Sequence, residues 1–191
     1  MIPVVKTVQT TLMRLTFFTA LDFRLFTNIM DYMPYEDVKT VAREIRDHAA
    51  LMQQLSEAGS SVCDRFFSTY ELKNMTDILF HFLTRAYQEE DEFALQEVMS
   101  FLSAFQVPRQ EWYFNFVAKL ASVYDLVHKG DAVVARHTYD QLMDTLAFML
   151  PADVQADYLD MTRGSFELFV DEMKPRLHQI DKRLITNGHR R

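Results

Sequence analysis

The sequence predicts an all-α protein, and three observations carry that expectation. Apolar residues recur every three or four positions along almost the whole chain, the spacing that lines one face of a helix. No segment alternates apolar and polar residues with period two for long enough to build a strand. Gly (4) and Pro (5) are scarce among 191 residues whereas Phe (16), Met (11) and Tyr (8) are plentiful, which excludes disorder and a turn-rich all-β fold. About eight helices are expected in one domain over residues 1–191.

The first helix is expected over residues 4–30, with Val8, Leu12, Leu15, Leu25 and Ile29 among its apolar positions. It is apolar on most faces and needs a cover. Lys6, Arg14, Asp22 and Arg24 interrupt it, so no uncharged stretch can span a bilayer. Pro34 opens the second, in which Val38, Val41, Ile45, Met52 and Leu55 form a stripe and Gly59 supplies the stop. A short third helix carries Val62, Phe66 and Phe67, and Asn74 reads as the N-cap of a fourth presenting Met75, Ile78, Leu79, Phe82 and Leu83.

Carboxylates at Glu89 to Glu92 suit the next helix start, where they oppose the positive end of the dipole. That fifth helix is expected to bury Leu95, Val98, Leu102 and Phe105. Pro108 fits the first position of a sixth, with Trp112, Phe116, Leu120, Val123 and Val127 inward. Gly130 and Asp131 separate it from a seventh, whose inner face is read as Val134, Tyr139, Leu142, Leu146 and Leu150. Pro151 and Asp153 open the last, with Tyr158, Phe166, Phe169 and Met173, and residues 176–191 read as a frayed tail.

Twenty basic against 27 acidic side chains give a net charge of −7, and no Lys/Arg cluster precedes the last few residues, so nucleic acid is not an expected partner. The one Cys, Cys63, excludes a disulfide framework and a thiolate-rich zinc site. The N-terminus lacks a basic region, apolar stretch and small-residue cleavage site in series, so a soluble, cytoplasmic protein is expected. Four scattered glycines make no phosphate loop. Glu44 and His48 share a face at i, i+4, but no second such pair answers them across a bundle, so they read as solvated surface. Ser60-Ser61 reads as a cap and Cys63 as a small hydrophobe, so no nucleophile or acid–base pair points to an enzyme. His128, ending the sixth helix, and His137, early in the seventh, flank one turn. An imidazole there serves either as a favourable C-terminal cation or as a ligand facing an apolar slot, which is what haem iron requires.

The order of residues resembles a bacterial globin over about residues 40–175. Glu57 to Phe67, followed by Glu71 to Phe80, is similar to the flavohaemoglobin-type segment ending at the phenylalanine wedged against haem. His128-Lys129-Gly130 with His137-Thr138-Tyr139, Leu142 and Leu146 is similar to the stretch holding the proximal histidine. The resemblance implies a globin-like bundle with residues 1–39 as an N-terminal helical extension and residues 40–175 as the core. It implies haem, with His128 as iron ligand, Phe80 packed on the porphyrin, Phe67 on the distal side where such globins often carry Tyr, and Leu95 and Tyr139 in the pocket. Asp91 or Leu95 falls near the distal Gln position, and the spacing from His128 to Tyr139 needs one extra residue. In a second register, Phe101 to Tyr113 resembles the globin-coupled sensor segment, with Ser103 at the proximal position and therefore no metal-binding nitrogen. Two functions follow as expectations. One is a globin-like sensor binding haem and a diatomic gas, with signalling rather than catalytic output. The other is a haem-free helical sensor or adaptor acting through an apolar pocket or helix docking, with a signalling partner and a homodimer seam on the first helix at Leu12, Leu15 and Leu25.

Overall fold

The computed structural model describes residues 6–7, 10–11, 20–57, 69–107, 111–151, 159–160 and 162–173, and none of these lies in a strand. The chain is all-α. Its helices are α1 (Ala20–Ile29), continued by a 3-10 turn (Met30–Tyr32), α2 (Tyr35–Glu57), α3 (Thr69–Gln88), α4 (Glu92–Ala104), α5 (Trp112–His128) and α6 (Ala132–Met149), and residues 162–173 are also helical. The expectations for Val8, Leu12, Leu15, Gly59, Ser60, Ser61, Val62, Cys63, Phe66, Phe67, Pro108, Asp153, Tyr158 and residues 176–191 fall outside the described residues. The contacts divide the chain into two compact units, Met1–Ala118 and Lys119–Arg191, with the boundary inside α5.

In the first unit α3 packs against α1, α2 and α4. α1 and its 3-10 continuation contribute Phe23, Phe26 and Met30 to the core, and α2 contributes Val38, Val41, Ala42, Ile45 and Ala49. The carbonyl of Pro34 accepts from the amides of Asp37 and Val38, so Pro34 sits immediately before α2 rather than within it. Asn74 is not an N-cap. It is buried inside α3, because Leu72, Met75, Thr76, Leu79, Leu83 and Ala86 make one uninterrupted apolar-side stripe at helical spacing, and that burial outweighs the turn preference of one Asn. Leu95, Val98 and Leu102 of α4 are buried as expected, and Phe105 is half-buried with its ring 4.8 Å from Phe101 and 5.5 Å from Phe114.

α5 begins at Trp112, with Glu111 before it non-helical. Trp112 is 38% exposed rather than inward: Phe116, Val117, Leu120, Ala121, Tyr124 and Val127 form the buried stripe, and the first-turn indole lies at its edge. α6 buries Ala135, Tyr139, Met143 and Leu146, not Val134. Val134 and Tyr139 are five residues apart, about 140° around the axis, whereas the small Ala135 shares Tyr139's face. Beyond α6, Leu159, Phe166, Phe169 and Met173 are buried, which bears out the last three as inward residues.

Both sharp reversals, α3 to α4 and α5 to α6, use the same device. Asp91 N–H donates to the Ala86 carbonyl and Glu90 N–H to that of Tyr87; Asp131 N–H donates to Leu126 and Gly130 N–H to Val127. This is the paired closure of a helix by a residue in the left-handed region, here Glu90 (φ 58°) and Gly130 (φ 89°). The following Asp then caps the next helix, Asp91 accepting from Ala94 N–H at 3.0 Å and Asp131 from Val134 N–H at 3.4 Å.

Candidate functional site

A polar cluster of the first unit is built on Asp91. Its Oδ1 caps α4, and its Oδ2 accepts from the Tyr35 hydroxyl at 2.9 Å and from the Lys39 ammonium, 56 and 52 residues upstream. Tyr35 stacks on Phe82, with centroids 5.9 Å apart, and Lys39 and Arg85 lie 5.8 and 6.0 Å from its ring centre. Arg85 Nη1 donates to the carbonyls of Met30 (2.6 Å) and Met33 (3.1 Å), satisfying acceptors at the end of the 3-10 turn. The hydrogen bond from Lys39 holds the Asp91 carboxyl below its ordinary value against the effect of its partial burial, and burial with the neighbouring Asp91 pushes the Tyr35 phenol up. Near neutral pH, Asp91 is therefore ionised and Tyr35 protonated. Neither group is poised to exchange a proton, so the cluster fastens α2 to α4 rather than performing acid–base chemistry.

Next to it, Lys39, Arg43 and Arg46 follow one another along α2 at the rim of a shallow dimple with room for about one water molecule, floored by Ala42, Phe82, Ala94 and Val98. Glu97 closes the rim, bonding to Arg43 at 3.3 Å and Arg46 at 3.0 Å. Burial works against the Arg46 charge, but hydrogen bonds to Asp47 and Glu97 more than offset it and hold the guanidinium charged. A second partnered cluster joins α3 to α5: Asp77 accepts from Tyr113 and, at 2.7 Å, from Lys73, whose ammonium lies 4.9 Å from the Tyr113 ring centre.

In the second unit the core is aromatic. The Tyr139 and Phe166 rings lie parallel, 4.0 Å apart, and Tyr124 stacks on Phe169 at 4.1 Å. Burial pushes the Tyr124 phenol up, and burial, against the opposing charge of Arg163, raises that of Tyr139 to about 12. The Tyr139 hydroxyl is buried and makes no hydrogen bond among the described residues. Arg136 binds Glu167 through two bonds of 2.5 and 2.9 Å, and its guanidinium lies 5.1 Å from the Phe166 ring centre.

The residues singled out from the sequence are distributed between the units. Phe80, half-buried on α3, Leu95, buried on α4, and Ser103, exposed on α4 with its hydroxyl bonded to the Met99 carbonyl at 2.8 Å, belong to the first. His128, half-buried at the end of α5, and Tyr139 belong to the second. Phe67 lies outside the described residues. A porphyrin lying against Tyr139 would have to displace Phe166 from the ring face it covers, so these residues as arranged do not offer haem a slot beside that ring. Among the described residues no three His, Cys, Asp or Glu side chains gather as a metal site. No described helix is long and apolar enough to cross a membrane.

What sequence reasoning missed is the outward face of α6. Val133 is 82% exposed and Phe148 93% exposed, with Val134 and Met149 also exposed. Between them lie His137 and Gln141, joined by a 3.0 Å hydrogen bond, and Asp140 and Asp144. Correct assignment of the inner face would have revealed this one, because every residue placed one position out on a helix turns about 100°. No family model, curated protein or solved structure matches the chain.

Proposed function

We propose that this protein is a haem-free helical sensor or adaptor that acts by docking a helix face onto a protein partner. The observation that supports this reading is Phe148, an aromatic side chain held almost fully in water on a helix whose opposite face is packed. Burying such a side chain contributes about 1.5–3 kcal/mol, so Phe148 and the exposed valines at the other end of α6 supply a driving force for association that the fold itself does not use. The polar clusters agree with it, because their acids and bases are paired with one another and hold helices together.

Photocrosslinking tests this. Benzoylphenylalanine placed at position 148 in the full chain is expected to give protein adducts in its native cells, and the same group at the exposed Ser100 of α4 is expected to give none. Equal adducts at both positions, or none at either, would overturn the reading. A haem globin is the competing proposal, supported by the His128 imidazole at the C-terminal end of α5. Its test is hemin titration of wild type beside His128→Ala, in which a saturable Soret band abolished by the substitution would establish it.

A further inference from the structure

We infer that residues 174–191 of the same chain dock onto the outward face of α6 and compete there with the protein partner. This rests on the docking reading and adds what regulates that face. Val133, His137, Asp140, Gln141, Asp144 and Phe148 lie within about 100° of arc, opposite the buried Ala135, Tyr139, Met143 and Leu146. The face has apolar side chains at its two ends and two carboxylates on successive turns between them. Like charges four residues apart repel, and the fold does not relieve this pair. Asp144 forms no ion pair or hydrogen bond among the described residues, and Arg136, the cation beside Asp140, is bonded through both terminal nitrogens to Glu167.

Charge complementarity selects the occupant. Residues 174–191 carry six Lys and Arg against one Asp, whereas residues 119–173 carry four Lys and Arg against ten Asp and Glu. A second copy of α6 would bring the same two carboxylates and no free cation, and an anionic lipid surface or a nucleic acid would be repelled. Leu177, Ile180 and Leu184 recur at i, i+3 and i+7 with Arg176, Lys182 and Arg183 next to them in sequence, so the segment supplies apolar and cationic groups together, as the face requires. Its starting point is close. Tyr139 stacks on Phe166 and Arg136 binds Glu167, so the helix through residues 162–173 runs antiparallel beside α6 and ends near its first turn. From there Phe148 lies about 24 Å along the axis, and residues 174–185 alone reach about 40 Å when extended. Tethering at that range gives an effective concentration on the order of millimolar, so a weak contact is enough.

Benzoylphenylalanine at position 148 of the purified full chain reads the contact, with mass spectrometry of the digested product. The expected product keeps the 22.5 kDa mass of one chain and joins position 148 to a peptide within residues 174–191. Lys182→Glu with Arg183→Glu should lower its yield at least about fivefold, and Asp140→Lys with Asp144→Lys should do the same. Combining the two pairs should restore it, a rescue that general surface damage does not give. Glu36→Lys with Glu44→Lys, exposed carboxylates of α2, should change nothing. Circular dichroism verifies that each variant keeps its helix content. No internal product, a product joined outside residues 174–191, a product of twice the chain mass, or a failed rescue would each overturn the inference. The two ideas fail separately: partner adducts in native cells without the internal product refute the covering segment and leave docking standing, whereas the internal product without partner adducts refutes docking and leaves the intramolecular contact standing.

Discussion

Replacing Asp91 tests whether the polar cluster of the first unit is the fastening described above. Asp91→Ala removes the cap on the Ala94 amide, worth about 1 kcal/mol. It also removes two charge-strengthened contacts, from Tyr35 and Lys39, each worth about 1.5–3 kcal/mol in a dry setting. The side chains of Lys39 and Asp91 keep 21% and 17% of their exposure, so water takes over part of that loss, and a total near 3 kcal/mol is expected. Asp91→Asn retains a capping oxygen and should lose only about half as much. Urea unfolding followed by the fluorescence of Trp112, the one Trp of the chain and part of the same unit, reads this directly. With an m-value of about 2 kcal/mol per molar, the alanine midpoint should fall by about 1.5 M. Because the folded-state pKa of Asp91 is depressed, its contribution is present above the ordinary carboxyl value of 3.8 and disappears as pH falls through the lower folded value. Wild type and Asp91→Ala should therefore differ fully at pH 6 and converge in strong acid. A midpoint shift under about 0.3 M at pH 6, or a difference that persists below pH 2, would refute the account.

The two reversals make opposite demands on their left-handed residues: Gly130→Ala should cost about 1–2 kcal/mol, whereas Glu90→Gly should be neutral or stabilising by up to about 1 kcal/mol, both measured by thermal unfolding. Tyr35, Tyr124 and Tyr139 have raised values, so replacing any one of these three by Phe should leave the absorbance rise at 295 nm around pH 10 unchanged. The stability they contribute is complete below the ordinary phenol value of 10.0 and is lost as pH climbs through their folded values, so those three should ionise together with unfolding in strong alkali. Hemin titration is expected to show no saturable Soret band in wild type or His128→Ala if the function is docking alone.

The helical class and most inward faces were legible in the sequence because burial imposes the 3.6-residue period directly on residue choice, as in Leu95, Val98 and Leu102 or Phe166, Phe169 and Met173. The carboxylates before α4 and the Gly130-Asp131 turn were legible for a similarly local reason, since caps and left-handed glycines act within four residues. Local preference misled at Asn74, where the buried stripe of α3 overrides one turn-favouring residue, and at Val134, where bulk suggested an inward position that the small Ala135 occupies. What the sequence could not show is who meets whom across it. Asp91 carries no mark of Tyr35 and Lys39, nor Arg85 of the Met30 and Met33 carbonyls, because such partnerships depend on packed helices rather than spacing.

The two reversals share their backbone closure yet differ in what their capping aspartate does, and that difference bears on function. Asp91 is drawn inward to Tyr35 and Lys39, so the start of α4 is tied to a third helix and its charge is spent on the fold. Asp131 is exposed, and its cap to Val134 organises only the first turn of α6. The cap fixes the direction in which α6 leaves the turn, Ala135, Tyr139, Met143 and Leu146 fix its rotation, and together they dictate that Val133 and Phe148 point to water. Exposure of those two residues is thus set by the same contacts that stabilise the helix. A partner that covers them meets a preorganised surface and does not have to order it first, which lowers the entropic cost of association.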